Sequence, residues 1–272
     1  MALKDCFGRR IEYLRISVTD KCNYRCVYCM PPEGIELKPR EQILSYESIR
    51  DIVKVAAEMG IWKIRLTGGE PMVRRDLEVL VRMISEVPGV RELAMTTNGS
   101  LLTPGRAEEL KEAGLDRVNI SLDTLSPERF REITGCGNLE DVLAGMDAAV
   151  AAGLTPIKIN MVITEKTTRE EVNQMREYCR RKGFTLQKIK EFSLYGGKDG
   201  DNIPFSFERP QPCTLCNKIR LTADGFFKPC LFSDREIPVD MDNIEKSIIE
   251  TVNRKPARGT ACYNRSMRQI GG

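Results

Sequence analysis

Apolar positions along the chain fall into short extended runs separated by longer stretches with helical spacing. LRISV (Leu14 to Val18), KIRL (Lys63 to Leu66), ELAMT (Glu92 to Thr96), RVNIS (Arg117 to Ser121), IKINMVI (Ile157 to Ile163) and LQKIKEF (Leu186 to Phe192) have strand character. Between them, helices are expected at about Tyr46 to Met59, Asp76 to Glu86, Pro104 to Ala113, Pro127 to Ile133, Leu139 to Ala152 and Arg169 to Lys182. Six βα steps, or close to it, predict an α/β fold: a parallel sheet wound by right-handed crossovers and curled into a partial (βα)6 barrel.

Side chains two apart on a strand share a face. Arg15 with Ser17, Lys63 with Arg65, Lys158 with Asn160 and Lys188 with Lys190 therefore form one surface, while Ile16, Ile64, Ile159 and Ile189 form the other. The apolar surface suits packing under outer helices. The cationic surface is trivial on a solvated open sheet, but inside a barrel it is costly, because buried like charges need an anion to offset them.

From Ser193 to Pro212 the composition shifts to Gly, Asp, Pro and aromatic residues, which reads as a loop leaving the barrel. This divides the chain into a barrel region, 1–192, and a cysteine-rich C-terminal region, 193–272. In the latter, IRLTADGFFKP (Ile219 to Pro229) places Asp224 and Gly225 between two extended runs, a hairpin signal. A helical stretch from Ile244 to Arg254 and a polar tail ending in Gly271 and Gly272 follow.

At 272 residues the chain is long enough for a sizeable core. Its charged and polar start carries no secretory signal or membrane span, so a cytoplasmic location is expected. A net charge of +3 is too mild for a nucleic-acid tracking surface. Ten Cys and no His are the unusual feature, since disulfides are disfavoured in such a compartment. The lack of His excludes imidazole catalysis and mixed Cys/His zinc sites.

Cys22, Cys26 and Cys29 form C-x3-C-x2-C in the loop after the first strand, at the mouth where such barrels place their chemistry. Three thiolates suit a 4Fe-4S cluster with one open iron; the alternative is a zinc knot completed by a remote Cys. Tyr24 and Tyr28 give the loop apolar cover. Cys213, Cys216 and Cys230 form C-x2-C-x13-C, the third thiol returned by the hairpin. They suit a second 4Fe-4S cluster, or a zinc ribbon completed by Cys262. Cys6, Cys136 and Cys179 have no partner at ligand spacing and read as ordinary thiols.

CNYRCVYCM (Cys22 to Met30) resembles the signature of the radical S-adenosylmethionine (SAM) superfamily. That resemblance implies SAM on the open iron, with Cys22, Cys26 and Cys29 catalytic and Tyr28, Gly68, Gly69, Glu70 and Ser121 as cofactor contacts. The Gly68 to Pro71 turn is then the one that meets the SAM amino group, and Thr97, Asn98 and Ser121 to Asp123 resemble further contacts. CTLCNKIRLTADGFFKPCLF together with the tail RSMRQIGG resembles the molybdenum cofactor biosynthesis protein A family, the GTP 3′,8-cyclases, from about Arg10 to Gly272. Membership implies GTP bound by Arg15, Arg65, Thr97, Lys158, Lys218, Ile219 and Arg220, an auxiliary cluster on the purine, and a Gly-Gly tail reaching the active site. It also implies abstraction of the ribose 3′ hydrogen by a 5′-deoxyadenosyl radical, attack on C8 of guanine, a reductant such as flavodoxin or ferredoxin, and allows a homodimer.

The chain departs from the family pattern in three places. Lys218 replaces a common Arg, Ser193 stands where a SAM-contacting Met is usual, and the connection from Phe192 to Cys213 is short. A related enzyme acting on another nucleotide or a peptide stays open on these grounds, as does a non-enzymatic iron-sulfur electron carrier.

Overall fold

The computed structural model describes residues 3–30, 34–191, 194 and 212–271. Six parallel strands, β1 (Tyr13–Ser17), β2 (Lys63–Thr67), β3 (Glu92–Thr97), β4 (Arg117–Ser121), β5 (Lys158–Ile163) and β6 (Thr185–Lys190), form the barrel wall in sequence order. Six helices alternate with them: α1 (Tyr46–Glu58), α2 (Leu77–Ser85), α3 (Pro104–Glu112), the pair α4 (Pro127–Thr134) and α5 (Leu139–Ala151), and α6 (Arg169–Lys182). The elements begin and end within two residues of the sequence expectation.

Side-chain caps start the helices. Ser45, Thr103, Ser126, Asn138 and Thr168 each accept a hydrogen bond from a first-turn amide, an interaction that contributes about 1 kcal/mol. On α1 the buried residues Ile49, Ile52, Val53 and Ala56 recur at spacings of three and four and face the sheet. From the sheet side Ile16, Ile64, Leu66, Met95, Ile120 and Ile159 meet these helices with no exposed surface. The core therefore lies between strands and helices, as the alternating pattern requires.

After the compositional break the chain returns to this same sheet. β7 (Lys218–Leu221) pairs parallel with β1, then β8 (Phe226–Lys228) and β9 (Ile237–Pro238) continue antiparallel. The hairpin turn at Asp224 and Gly225 is the expected one. The resulting nine-stranded order is β6-β5-β4-β3-β2-β1-β7-β8-β9, with β6 and β9 at open ends, so the barrel is partial. Helix α7 (Ile244–Asn253) and a four-residue helix α8 (Met267–Ile270), which the sequence pattern does not indicate, complete the described chain. No helix among the described residues is long and apolar enough to cross a membrane.

Register corrects one expectation. Lys188 pairs with Met161 and Lys190 with Ile163, so both lysines lie on the helix side, and Gln187 and Ile189 turn inward beside Asn160 and Val162. Alternation within a strand fixes which residues share a face but not which face is inner. On the edge strand β6 the lysines take the helix side, where Lys188 is buried under the layer that includes α6.

Candidate active site

Three loops at the C-terminal ends of β1, β2 and β3 are laced together by main-chain and side-chain bonds. The amide of Gly69 donates to Thr19 O at 2.8 Å and that of Glu70 to Lys21 O at 2.8 Å. A Cβ on Gly69 would strike the Lys21 carbonyl, so this close approach requires glycine. The buried Glu70 carboxylate accepts from Met72 N (3.0 Å), the Thr97 hydroxyl (2.7 Å) and Asn98 N (2.6 Å). Burial raises its pKa against the pull of these donors. Asn98 Nδ2 in turn donates to Asn23 Oδ1 at 2.8 Å, which reaches into the cysteine loop. Glu70 and Thr97, expected on cofactor and substrate, thus spend their visible polar groups on each other and on the loops they hold.

Cys22, Cys26 and Cys29 are half-buried on the β1 loop. Tyr24 N donates to Cys22 Sγ at 3.3 Å, while the amides of Cys29 and Met30 both close on Cys26 O at 3.0 and 2.9 Å. Burial first, then the neighbouring Cys22 and Asp123 charges, pushes the Cys29 thiol up to about 12. Burial also raises Cys26 and Cys22, with Cys29 and Cys22 acting on Cys26. Such thiols become anions only with positive charge between them. The set is all sulfur, which suits iron-sulfur chemistry. Among the described residues no three Cys, Asp or Glu converge on one point for a single metal ion.

The Tyr28 hydroxyl donates to Asp123 Oδ2 at 2.6 Å and lies within hydrogen-bonding reach of Cys26; Val162 N donates to Asp123 Oδ1 at 2.7 Å. Burial lifts Asp123 to about 6 against these two bonds. Ser121 stands half-buried at the end of β4, in register with Asn160.

The inner face of the sheet carries the cations. Adjacent strands align Arg220, Arg15, Arg65, Ala94 and Arg117 in one row, and Lys218, Tyr13, Lys63 and Glu92 in the next. Lys158 lies opposite Asn119. Burial lowers Arg15 and Arg65 to about 10, with Tyr13 opposing and neighbouring arginines adding to the fall. Two unit charges ~6 Å apart at an effective dielectric of ~20 repel by roughly 3 kcal/mol, so the row strains against itself. Glu92 offsets part of it by pairing with Lys63 at 2.8 Å and with Arg117. The Tyr13 ring takes Lys63, Arg65 and Lys218 over its face at 5.4, 5.7 and 5.7 Å. Arg65 Nε remains buried with no hydrogen-bond partner among the described residues. Positive charge is in excess here. Ile219, expected among the substrate contacts, pairs with Leu14 on the helix side and its side chain is fully buried in the core.

Cys213 and Cys216 open and close a 3-10 turn, and Cys230 follows β8; all three are half-buried. Lys255, itself buried, donates to Lys218 O at 2.7 Å and Pro229 O at 2.8 Å, joining the two arms that carry these thiols. Burial alone would raise Cys216, but Lys255 and Lys218 outweigh it and the net shift is downward. Cys262, the fourth ligand of the zinc alternative, is buried and its thiol donates to Asn264 Oδ1 at 3.2 Å.

The tail then crosses to the barrel mouth. Arg265 grips Glu236 through Nε (2.8 Å) and Nη2 (3.0 Å) and Asp224 through Nη1 (2.7 Å). Beyond it, Arg268 reaches the first cysteine loop, and Gly271 lies where a Cβ would overlap the Thr67 hydroxyl. Arg220 donates to the Gly271 carbonyl. Phe192, Ser193, most of the short connection before Cys213, and Gly272 lie outside the described residues. Tyr13, Arg117, Lys255 and Arg268 are absent from the sequence expectations. Arg117 had a signal, its parity with Asn119 and Ser121, and Tyr13 precedes the expected strand by one residue; the other two sit in segments without periodicity.

The family model of the Radical SAM superfamily matches residues 16–179. A GTP 3′,8-cyclase of Thermodesulfovibrio yellowstonii is 36% identical over 319 residues, covering 98% of this chain and 98% of the relative. One of Alkaliphilus oremlandii is 38% identical over 322 residues, covering 99% and 100%. Both alignments run longer than the 272 residues of this chain, so the relatives hold residues with no counterpart here. Among solved structures, SuiB of Streptococcus suis bound to S-adenosylmethionine superposes with a TM-score of 0.69 at 18% identity, over 91% of this chain and 66% of SuiB. For anSMEcpe with bound AdoMet the TM-score is 0.66 at 18% identity, over 89% and 81%. These likenesses show the fold. Together with the sequence relatives they establish that the chain belongs to the radical SAM superfamily and, within it, to the GTP 3′,8-cyclase family.

Proposed function

We propose that this chain converts GTP to (8S)-3′,8-cyclo-7,8-dihydroguanosine 5′-triphosphate, the first step of molybdenum cofactor biosynthesis. The observation that carries the reading is the inner row of Arg220, Arg15 and Arg65 beneath a loop of three half-buried thiols. A triphosphate is an anion such a row suits, and guanidinium groups bind it with directed pairs of hydrogen bonds.

Cys22, Cys26 and Cys29 would hold the 4Fe-4S cluster, and the laced loops keep them in place. When bound, that cluster supplies the electron that splits SAM into methionine and a 5′-deoxyadenosyl radical. The chain's own part is placement. Arg15, Arg65, Arg220, Lys158 and Lys218 hold the triphosphate end, and the Gly68 and Gly69 main chain lines the mouth for the amino acid end of SAM. Cys213, Cys216 and Cys230 would hold a second 4Fe-4S cluster, with the guanine as its ligand and Lys255 and Arg220 offsetting its thiolates. In this division 1–192 supplies the radical and 193–272 supplies the second cluster and the tail. A reductant such as flavodoxin or ferredoxin delivers the electron in the cytoplasm.

The test is anaerobic reconstitution with iron and sulfide, then incubation with SAM, dithionite and GTP. Mass spectrometry is expected to show deoxyadenosine and a cyclised GTP product of unchanged mass. Deoxyadenosine with no product from GTP, but with one from ATP or a peptide, would replace the substrate and keep the superfamily.

A further inference from the structure

A buried guanidinium from the far end of the chain lies against the first cysteine loop. Arg268 is 5% exposed and sits on the short helix α8, which a reciprocal Ser266 and Gln269 capping box closes. Its Nη2 donates to Cys22 O at 3.3 Å and its Nη1 points at Met30 Sδ at 3.5 Å, so it touches both ends of the loop that carries the three thiols. Nε is buried with no partner among the described residues. The charges that act on it are Cys22, Arg25, Cys29 and Asp20. Asp20, the weakest of these, has Oδ2 accepting from Lys38 N at 2.7 Å and Oδ1 buried with no partner among the described residues.

An arginine withdrawn from water costs several kcal/mol unless an opposite charge meets it. Beyond the weaker contribution of Asp20, the loop offers that charge when its thiols are thiolates, which is their state on iron. Three thiolates outweigh the positive charge of the cube, and reduction by one electron adds a further negative charge. A fixed cation beside them stabilises the reduced form more than the oxidised one. Its position is not left to chance: Arg265, three residues earlier, is locked to Glu236 and Asp224 with a side chain almost fully buried.

We propose that Arg268 is a positioning residue for the first cluster: it fastens the cysteine loop at both ends, and its charge raises the reduction potential of the cluster once the tail has docked. This rests on the reading that Cys22, Cys26 and Cys29 hold a 4Fe-4S cluster, but not on GTP being the substrate.

The experiment compares wild type, Arg268→Gln and Arg268→Lys by iron content and by dithionite titration followed with electron paramagnetic resonance of the reduced first cluster. To isolate that signal, all three carry Cys230→Ala. The expected result is a midpoint more negative in Arg268→Gln and restored in Arg268→Lys, with equal iron in all. Loss of the cluster from folded Arg268→Gln with retention in Arg268→Lys carries the same conclusion, because the two differ in charge. A midpoint in Arg268→Gln equal to wild type, or an Arg268→Lys as impaired as Arg268→Gln, overturns the proposal. Failure of wild type itself to take up a cluster at this loop would instead defeat the functional reading.

Discussion

The two cysteine sets solve one electrostatic problem in different ways. Both bring three thiols into a half-buried place. At the second set the countercharge comes from the same C-terminal region: Lys255 bonds to Lys218 O and Pro229 O, and Lys218 adds its own charge, so Cys216 shifts downward even in the metal-free chain. At the first set burial wins and all three thiols shift upward. Of the cations that oppose this shift, Arg25 stands in the loop and acts on Cys22, while Arg268, which acts on both Cys22 and Cys29, comes from 246 residues away. A site supplied from its own C-terminal region depends on little else, whereas a site supplied in part by the far end of the chain responds to whether that end is docked.

The sharpest way to break this comparison is to remove a thiol from each set. Cys22→Ala is expected to abolish deoxyadenosine formation and to halve the iron of the reconstituted protein. Persistence of deoxyadenosine would show that the first set is not where SAM is cleaved. Cys230→Ala should also halve the iron, yet keep slow deoxyadenosine formation while the GTP product disappears. If the two variants behave alike, the division of labour between the sets is wrong.

Smaller effects are expected from the cationic row and from the tether of the loop. Arg65→Met should weaken GTP binding in anaerobic calorimetry roughly ten- to a hundredfold, corresponding to the ~1.5–3 kcal/mol of a charged hydrogen bond. The same change should raise the melting temperature without GTP, since at neutral pH the buried guanidinium carries its full desolvation cost. Asp123 acts on stability rather than on turnover. Its folded pKa, about 6, lies above the ordinary carboxylate value, so its charged form is disfavoured in the fold. Stability of the cluster-free protein should therefore fall as pH rises from 4 to 7, by roughly 3 kcal/mol from this group. Asp123→Asn should flatten that slope in urea denaturation; an unchanged slope would assign it to other groups.

Much of this was legible in the sequence because period and spacing are local. The six βα steps, the Asp224 and Gly225 hairpin, both cysteine spacings and the inward pairs Arg15 with Ser17 and Lys63 with Arg65 all follow from residues close in the chain. The failures come from pairing. Parity within one strand puts Lys188 and Lys190 with the inward cations, and only the register with Met161 and Ile163 fixes their face as the helix side. Ile219, implied as a substrate contact by resemblance, has its side chain in the core, which leaves its main chain for that role. Glu70 and Thr97 meet each other across two loops, which no spacing rule foretells. Arg268 and Lys255 act through contacts that close over long stretches of chain, and their roles emerge only in three dimensions.

β1 has β2 on one side and β7 on the other, two parallel partners drawn from opposite ends of the sequence. A truncated protein that stops at the compositional break would expose the amides and carbonyls of Tyr13 to Ile16 as a raw edge, inviting intermolecular pairing. For expression work the two halves are thus better supplied together than apart.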